Sequence, residues 1–124
     1  MHFDQRTQAA LRAVGLSTGE IETASEHVVE ATSEAAADLE AFFEEGGTYY
    51  SDMDLAHSDE AIQAHEVAFL DLYTHAADIR GYLRFESWGV PVEGGRVLED
   101  GLVELTLGPT VHGRVRFARN REAL

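Results

Sequence analysis

The chain has no cysteine and no lysine. Without thiols it can form no disulfide, no thiolate zinc or iron–sulfur site and no cysteine nucleophile. No apolar run approaches the roughly 18 residues a membrane helix needs, and the opening Met1-His2-Phe3-Asp4-Gln5-Arg6 is polar. Membrane insertion and a secretory leader are therefore not expected; a soluble cytoplasmic protein is. Also missing are a Gly-x-Ser-x-Gly elbow, a phosphate-binding loop and a dinucleotide fingerprint.

What is present is acid. All nine basic residues are arginine, set against 23 Asp and Glu for a formal net charge of -14. Such a domain repels itself in dilute buffer, whereas molar salt cuts the Debye length to roughly 3 Å and mutes the repulsion. Carboxylates also hold water and cations, while a lysine stem would add apolar surface that high salt drives toward aggregation. This balance reads as adaptation to a salt-loaded cytoplasm, as in halophilic archaea. The plainer alternative is an acidic protein from a genome rich in guanine and cytosine, which also favours Arg over Lys.

With 124 residues, 44% of them hydrophobic, the chain suits one domain that buries about two-thirds of its unfolded surface. Its apolar period changes near residue 81. Before that point the spacing predicts three helices. The first spans Asp4 to Val14, capped by Asp4, with Phe3, Thr7, Ala10, Leu11 and Val14 on one face. Ser17 and Glu20 form a capping box for a long second helix with the stripe Ile21, Ala24, Val28, Ala31, Ala35, Leu39 and Phe42, stopped by Gly46-Gly47. After a loop from Thr48 to His57, a third helix capped by Ser58 or Asp59 carries Ile62, His65, Phe69, Leu72, Ala76, Ile79 and Leu83, with Gly81 as its breaker.

Beyond residue 81 the period is two. Strands are expected at Leu83–Phe85, Val90–Glu93, Arg96–Glu99, Leu102–Leu107 and Val111–Ala118, with hairpin turns at Gly94-Gly95, Asp100-Gly101 and Gly108-Pro109. The expected fold is α+β: a helical layer over residues 1–81 packed on an antiparallel meander over residues 82–118. The stretch Asp71 to Phe85 and the turn Gly108-Pro109-Thr110-Val111-His112 resemble a family of short acidic haloarchaeal proteins without assigned function. The resemblance implies habitat, not activity.

Several residues invite a functional reading. His65 sits in the middle of an apolar helical stripe, where an unsatisfied buried nitrogen costs about 1–3 kcal/mol. It could serve as a ligand or general base. The preferred reading is a core histidine bonded to a backbone carbonyl, Tyr49, Tyr50 or Glu66. The loop from Tyr49 to His57 gathers Tyr49, Tyr50, Asp52, Asp54 and His57. Asp52, Asp54 and His57 could hold Mg²⁺ or Ca²⁺, although the calcium-loop pattern is incomplete and a solvated loop is preferred. His65-Glu66-Val67-Ala68-Phe69 starts like a zinc-protease signature but lacks the second histidine.

The last 14 residues reverse the charge, with four arginines against one glutamate, while residues 1–110 hold five arginines and 22 acids. Arg114, Arg116, Arg119 and Arg121 could meet nucleic acid or an acidic protein. Four phosphate contacts, however, lose about four decades of affinity between 0.15 and about 3 M salt. Pairing with the domain's own carboxylates Glu86, Glu93, Glu99 and Glu104 is preferred, with His112, Arg114 and Arg116 on one strand face and Val111, Val115 and Phe117 on the other. Trp88 is expected to anchor sheet to helices rather than to mark an exposed contact surface.

The expectation is a small non-catalytic protein-interaction module that binds a protein partner or a second copy, the latter through Val29, Ala36 and Phe43 on the long helix. Nucleic acid and membranes are not expected as partners. A small-ligand or divalent-metal protein, conceivably an enzyme, using the Tyr49–His57 loop and His65 is the alternative; nucleic-acid association through the C-terminal arginines is a third. Circular-dichroism melting should show the salt requirement directly. The midpoint is expected to fall as KCl drops from about 3 M to about 10 mM, and an unshifted midpoint rules the adaptation out.

Overall fold

The computed structural model describes residues 3–54, 60–108 and 113–124. The expected helix start at Ser58 or Asp59, and the turn residues Pro109 to His112, lie outside them.

The N-terminal signals act as local chemistry dictates. Asp4 caps α1 (Gln5–Ala13) by accepting from the Thr7 N–H at 2.7 Å. Ser17 and Glu20 close their reciprocal box on α2 (Thr18–Glu44), at 3.0 and 3.2 Å. These bonds hold both carboxyls, Asp4 and Glu20, below the ordinary carboxylate range, backbone N–H donation being the main cause. The apolar face expected on α1 is not a core face: no α1 residue is buried, and Val14 is 78% exposed. On α2 the buried set is Ile21, Ser25, Ala36, Leu39 and Phe43, turned about one residue from the expected stripe. Ala36 and Phe43, expected to extend a self-association face, belong to the core instead.

After α2 come six strands: β1 (Thr48–Ser51), β2 (Gln63–His75), β3 (Asp78–Phe85), β4 (Gly89–Glu99), β5 (Leu102–Leu107) and β6 (Arg114–Ala118), followed by a single 3₁₀ turn at Arg121–Ala123. Each strand is antiparallel to the next, and β6 returns to β1 through Tyr50↔Ala118 and Ser51↔Phe117, closing a barrel. The fold is α+β, but with two helices rather than three, and the sheet begins at Thr48 instead of near residue 82 while ending at Ala118 as expected.

The expected third helix is the β2–β3 hairpin, and a bulge explains the misreading. Residues 63–85 are rich in β-branched and aromatic side chains, which suit a pleated surface. On β2, Gln63, His65 and Val67 point inward in strict alternation. The register then shifts between Val67 and Phe69, so that Leu70 and Leu72 take over the inner face. Two period-two runs offset by one residue create three- and four-residue intervals that mimic a helix. The Thr48–His57 loop likewise begins as a strand. Gly81, expected as a helix breaker, lies inside β3, where a Cβ would stand 2.0 Å from the Asp71 carbonyl oxygen.

Gly94-Gly95 does not form a turn either; both residues lie within β4, beside a register shift between Val92 and Gly94. A Cβ on Gly95 would come within 2.9 Å of Leu39 Cδ1 on α2 and of Leu105 Cδ2 on β5. The missing side chain makes room for the helix to seat on the sheet. The Asp100-Gly101 turn is as expected, with Gly101 at φ +78°.

The core unites Ala36, Leu39 and Phe43 of α2 with inward residues of all six strands, among them Leu83, Val90, Leu105 and Phe117. Among the described residues, β2 past Glu66 has no strand on its β1 side. Helix α2 packs on β2, and Glu40 Oε2 accepts from the Leu72 N–H at 3.5 Å.

Gly81→Ala should cost about 2–3 kcal/mol or more, because its Cβ meets backbone that cannot swing aside. Gly19→Ala in α2, where a Cβ meets open space, should instead gain up to about 1 kcal/mol. Urea unfolding of the two variants checks both signs.

Candidate functional site

The residues expected to form a polar loop site are dispersed by the barrel wall. Tyr49 and Ser51 alternate inward on β1, so they join the core, while Tyr50 faces out. Tyr49 Oη donates to the Phe42 carbonyl at 2.9 Å, and its ring packs on Phe43 at 4.8 Å. Burial raises the Tyr49 phenol above its ordinary pKa.

Ser51 Oγ lies 2.6 Å from His65 Nε2 and accepts from the Met53 N–H at 3.2 Å. A hydroxyl has one proton and two lone pairs, so with the Met53 N–H on one of them Oγ still donates to Nε2 or accepts from it according to the His65 tautomer. The imidazole packs on Phe85 at 4.9 Å and Phe117 at 5.9 Å. Burial pushes its pKa down. Serine beside histidine is a nucleophile–base pairing in type, but Ser51 is 0% exposed. No substrate atom could reach that hydroxyl without opening the wall. His65 thus finds a partner two residues beyond Tyr49, one not among those expected from the sequence.

Asp52 Oδ1 accepts from the Arg116 N–H at 2.8 Å and Oδ2 from Arg116 Nε at 2.9 Å. Asp54 is exposed, and His57 lies outside the described residues. Among the described residues, no three His, Asp or Glu side chains gather as a metal site.

Three of the four C-terminal arginines are put to internal use, while Arg114 is exposed on β6. Arg116 holds Asp52. Arg119 pairs with Glu45, donates to the Phe42 carbonyl at 2.8 Å, and lies over the Phe42 and Tyr49 rings. The Phe42 carbonyl is one of the unpaired acceptors that a helix C-terminus leaves, so cationic Arg119 satisfies both the bond and the dipole. Arg121 stacks over Tyr50 at 6.0 Å. The partners differ from those expected: Glu104 pairs with Arg96 at 3.0 Å. Val115 and Phe117 do face inward, with Arg114 and Arg116 outward, while Val111 and His112 lie outside the described residues. Half-buried Trp88 packs against the core and stacks on Phe85 of β3 at 4.5 Å, a contact within the sheet.

Two surface features remain. A groove of about 530 Å³ runs between α2 and the β4–β5 hairpin, floored by Phe42, Val97 and Val103 and rimmed by Asp38, Glu45, Glu99 and Asp100. The other feature is the outer face of the β2–β3 hairpin, which sequence reasoning missed. The register sets Phe69 opposite Arg84, Asp71 opposite Tyr82, and Tyr73 opposite Arg80. Phe69, Tyr73 and Tyr82 are 44%, 66% and 40% exposed, a rare state for three neighbouring aromatics. The Tyr82 ring lies across Gly89 of β4, where a Cβ would come within 2.4 Å of it. Arg80 Nη1 donates to the Ile79 carbonyl at 3.1 Å and to the Glu93 carbonyl. Phe69-x-Asp71-x-Tyr73 and Arg80-x-Tyr82-x-Arg84 are visible as alternations once the segment is read as strands. A helical reading scatters them.

The chain belongs to a family of unknown function (DUF7532), matched over residues 1–122. Searches of the curated proteins and of the solved structures find no match.

The buried His65 has a definite pH signature. Its neutral form is favoured by the fold, so the unfolded chain binds more protons below its ordinary pKa of about 6.5, and stability falls as pH drops through that value. Thermal melts should show a lower midpoint at about pH 5.5 than at about pH 7.5. The double variant Ser51→Ala/His65→Phe should flatten that difference. Ser51→Ala alone, which strands Nε2, should cost about 1–3 kcal/mol.

Proposed function

We propose that this chain is a non-catalytic protein-interaction module of a salt-loaded cytoplasm, meeting its partner through the outer face of the β2–β3 hairpin. The exposed Phe69, Tyr73 and Tyr82, interleaved with Arg80 and Arg84, are the observation that supports it. Tyr and Arg are the residues that most often supply binding energy at protein interfaces, and large rings held on a rigid sheet lose little entropy on contact. The all-arginine, strongly acidic composition and the resemblance to acidic haloarchaeal proteins support the high-salt setting.

The competing readings have weaker support. Nucleic acid would need several free cations, yet of Arg114, Arg116, Arg119 and Arg121 the last three are engaged with Asp52, Glu45 and Tyr50 respectively, which leaves exposed Arg114. A ligand or metal bound through Tyr49, Asp52, Asp54, His57 and His65 would have to draw Asp52 from Arg116 and His65 from Ser51. The serine–histidine pair acts as a hydrogen bond of the barrel wall, which the burial of Ser51 supports.

Affinity capture from the native cytosol in about 2 M KCl, where like-charge repulsion is screened, tests the reading. Wild-type chain should retain a stoichiometric protein partner, either a second copy or another protein. Phe69→Ser/Tyr73→Ser, with an unchanged melting point, should retain at least about tenfold less, a loss of about 1.4 kcal/mol. Equal recovery by both proteins would refute the assignment of this face.

A further inference from the structure

Resting on that interaction reading, we infer that the partner of the β2–β3 face is a second copy of this chain, related by a two-fold axis parallel to the hairpin.

The argument comes from the register. Within one copy, each pair across the hairpin joins unlike chemistries: Phe69 with Arg84, Asp71 with Tyr82, Tyr73 with Arg80. A two-fold axis lying in the interface, along the hairpin and midway between β2 and β3, places β2 of one copy over β3 of the other at the same height. Every residue then meets its own cross-strand neighbour from the second copy. Phe69 faces Arg84, a favourable ring–guanidinium contact; Tyr73 meets Arg80, whose Nη1 is held by the Ile79 and Glu93 carbonyls; and Asp71 faces a phenol that can donate to it. No ring is placed against a like charge, and neither Asp71 nor an arginine meets its own kind. His75 likewise faces Asp78, so the eight outward positions have the self-complementarity that a symmetric interface requires.

Two further observations favour a copy over an unrelated partner. Closure pairs β1 with β6, and α2 packs against β2, whose residues past Glu66 have no strand on the β1 side among the described residues, leaving the outer face of the hairpin for association. The face itself holds Arg80 and Arg84 against Asp71 and Asp78, so in a chain of net charge -14 approach by this side brings together a sign-balanced patch. With about eight side chains from each copy, against the 20–30 residues of a standard interface, the dimer belongs to the weak, exchanging class.

Its salt dependence is diagnostic. Two strongly acidic copies repel at low ionic strength, and the Debye length shrinks from about 8 Å at 0.15 M to about 3 Å at 1 M. Ring contacts gain as salt rises, so dimerisation should strengthen with KCl, whereas an interface of exposed ion pairs would weaken. Sedimentation equilibrium of the full chain at about 100 µM should give a monomer–dimer equilibrium in about 2 M KCl and mostly monomer in about 0.15 M. Phe69→Ser/Tyr73→Ser should weaken it at least about tenfold. Because the chain lacks cysteine, Asp71→Cys provides a single label. Facing sheets stand about 10 Å apart, so a short bismaleimide should join two such copies but not two copies labelled by Glu30→Cys on α2.

A monomer in about 2 M KCl, a dimer indifferent to Phe69 and Tyr73, or cross-links at residue 30 in place of 71 would each overturn the inference. If the chain stays monomeric while Phe69→Ser/Tyr73→Ser still loses a captured partner, the second-copy assignment falls and the interaction reading stands. If it stays monomeric and the variant captures as wild type does, both fall.

Discussion

The seam between β1 and β6 is the constraint on which the rest of the structure depends. Among the described residues two pairs join the strands there, Tyr50↔Ala118 and Ser51↔Phe117, followed by one backbone bond from the Asp52 N–H to the Arg116 carbonyl at 3.3 Å. So short a ladder would fray without help from side chains at both ends. Asp52 supplies part of it, gripping the backbone and guanidinium of Arg116 just past the ladder. The Phe42 carbonyl supplies the rest by collecting Tyr49 from the β1 side and Arg119 from the β6 side. Helix end and barrel seam are thereby one structure. The exposed Asp52–Arg116 and Arg119–Glu45 pairs add little as ion pairs alone. Their worth lies in the backbone groups they satisfy at a junction that has few others.

Closure also decides where function can reside. Inward positions are filled by Phe43, Leu39 and the strand residues packed on them, and β2 past its pairing with β1 is covered by α2. What remains is outer faces. Most carry carboxylates and arginines in a sign-balanced or acidic mixture; the β2–β3 face carries rings. Exposed rings raise the cost of staying dissolved in concentrated salt, which strengthens apolar association. A chain otherwise stripped of lysine stems but retaining Phe69, Tyr73 and Tyr82 at its surface is keeping apolar area at one place.

Local signals in the sequence transferred well to the structure where the chemistry is local. Asp4, the Ser17–Glu20 box, the Gly46-Gly47 stop and the Asp100-Gly101 turn depend on a few adjacent atoms. The inward alternation of Val115 and Phe117 followed as well. The helix expected over residues 58–81 failed because a bulge near Ala68 splices two alternating runs, and helical spacing is the result. Gly94-Gly95 failed because paired glycines serve both turns and close packing, and Leu39, which needs the space at Gly95, comes from 56 residues away in the chain. For the site, His65 was legible as buried and in need of a partner, but Ser51 as that partner was not, since their contact depends on β1 lying beside β2. The β2–β3 face was illegible for the same cause as the hairpin itself.

The sequence by itself determined the charge, the absence of thiol chemistry, the helix caps and the α+β content, because each rests on composition or on atoms within one turn of chain. Tertiary structure decided the barrel, the partners of Ser51, Asp52 and Arg119, and the surfacing of three aromatic rings. Those outcomes turn on register, and a shift of one residue in a strand exchanges its inner and outer faces. No local preference specifies that shift; it is settled only when the strands, closing around α2, find the arrangement that buries one set of side chains and leaves the other to solvent.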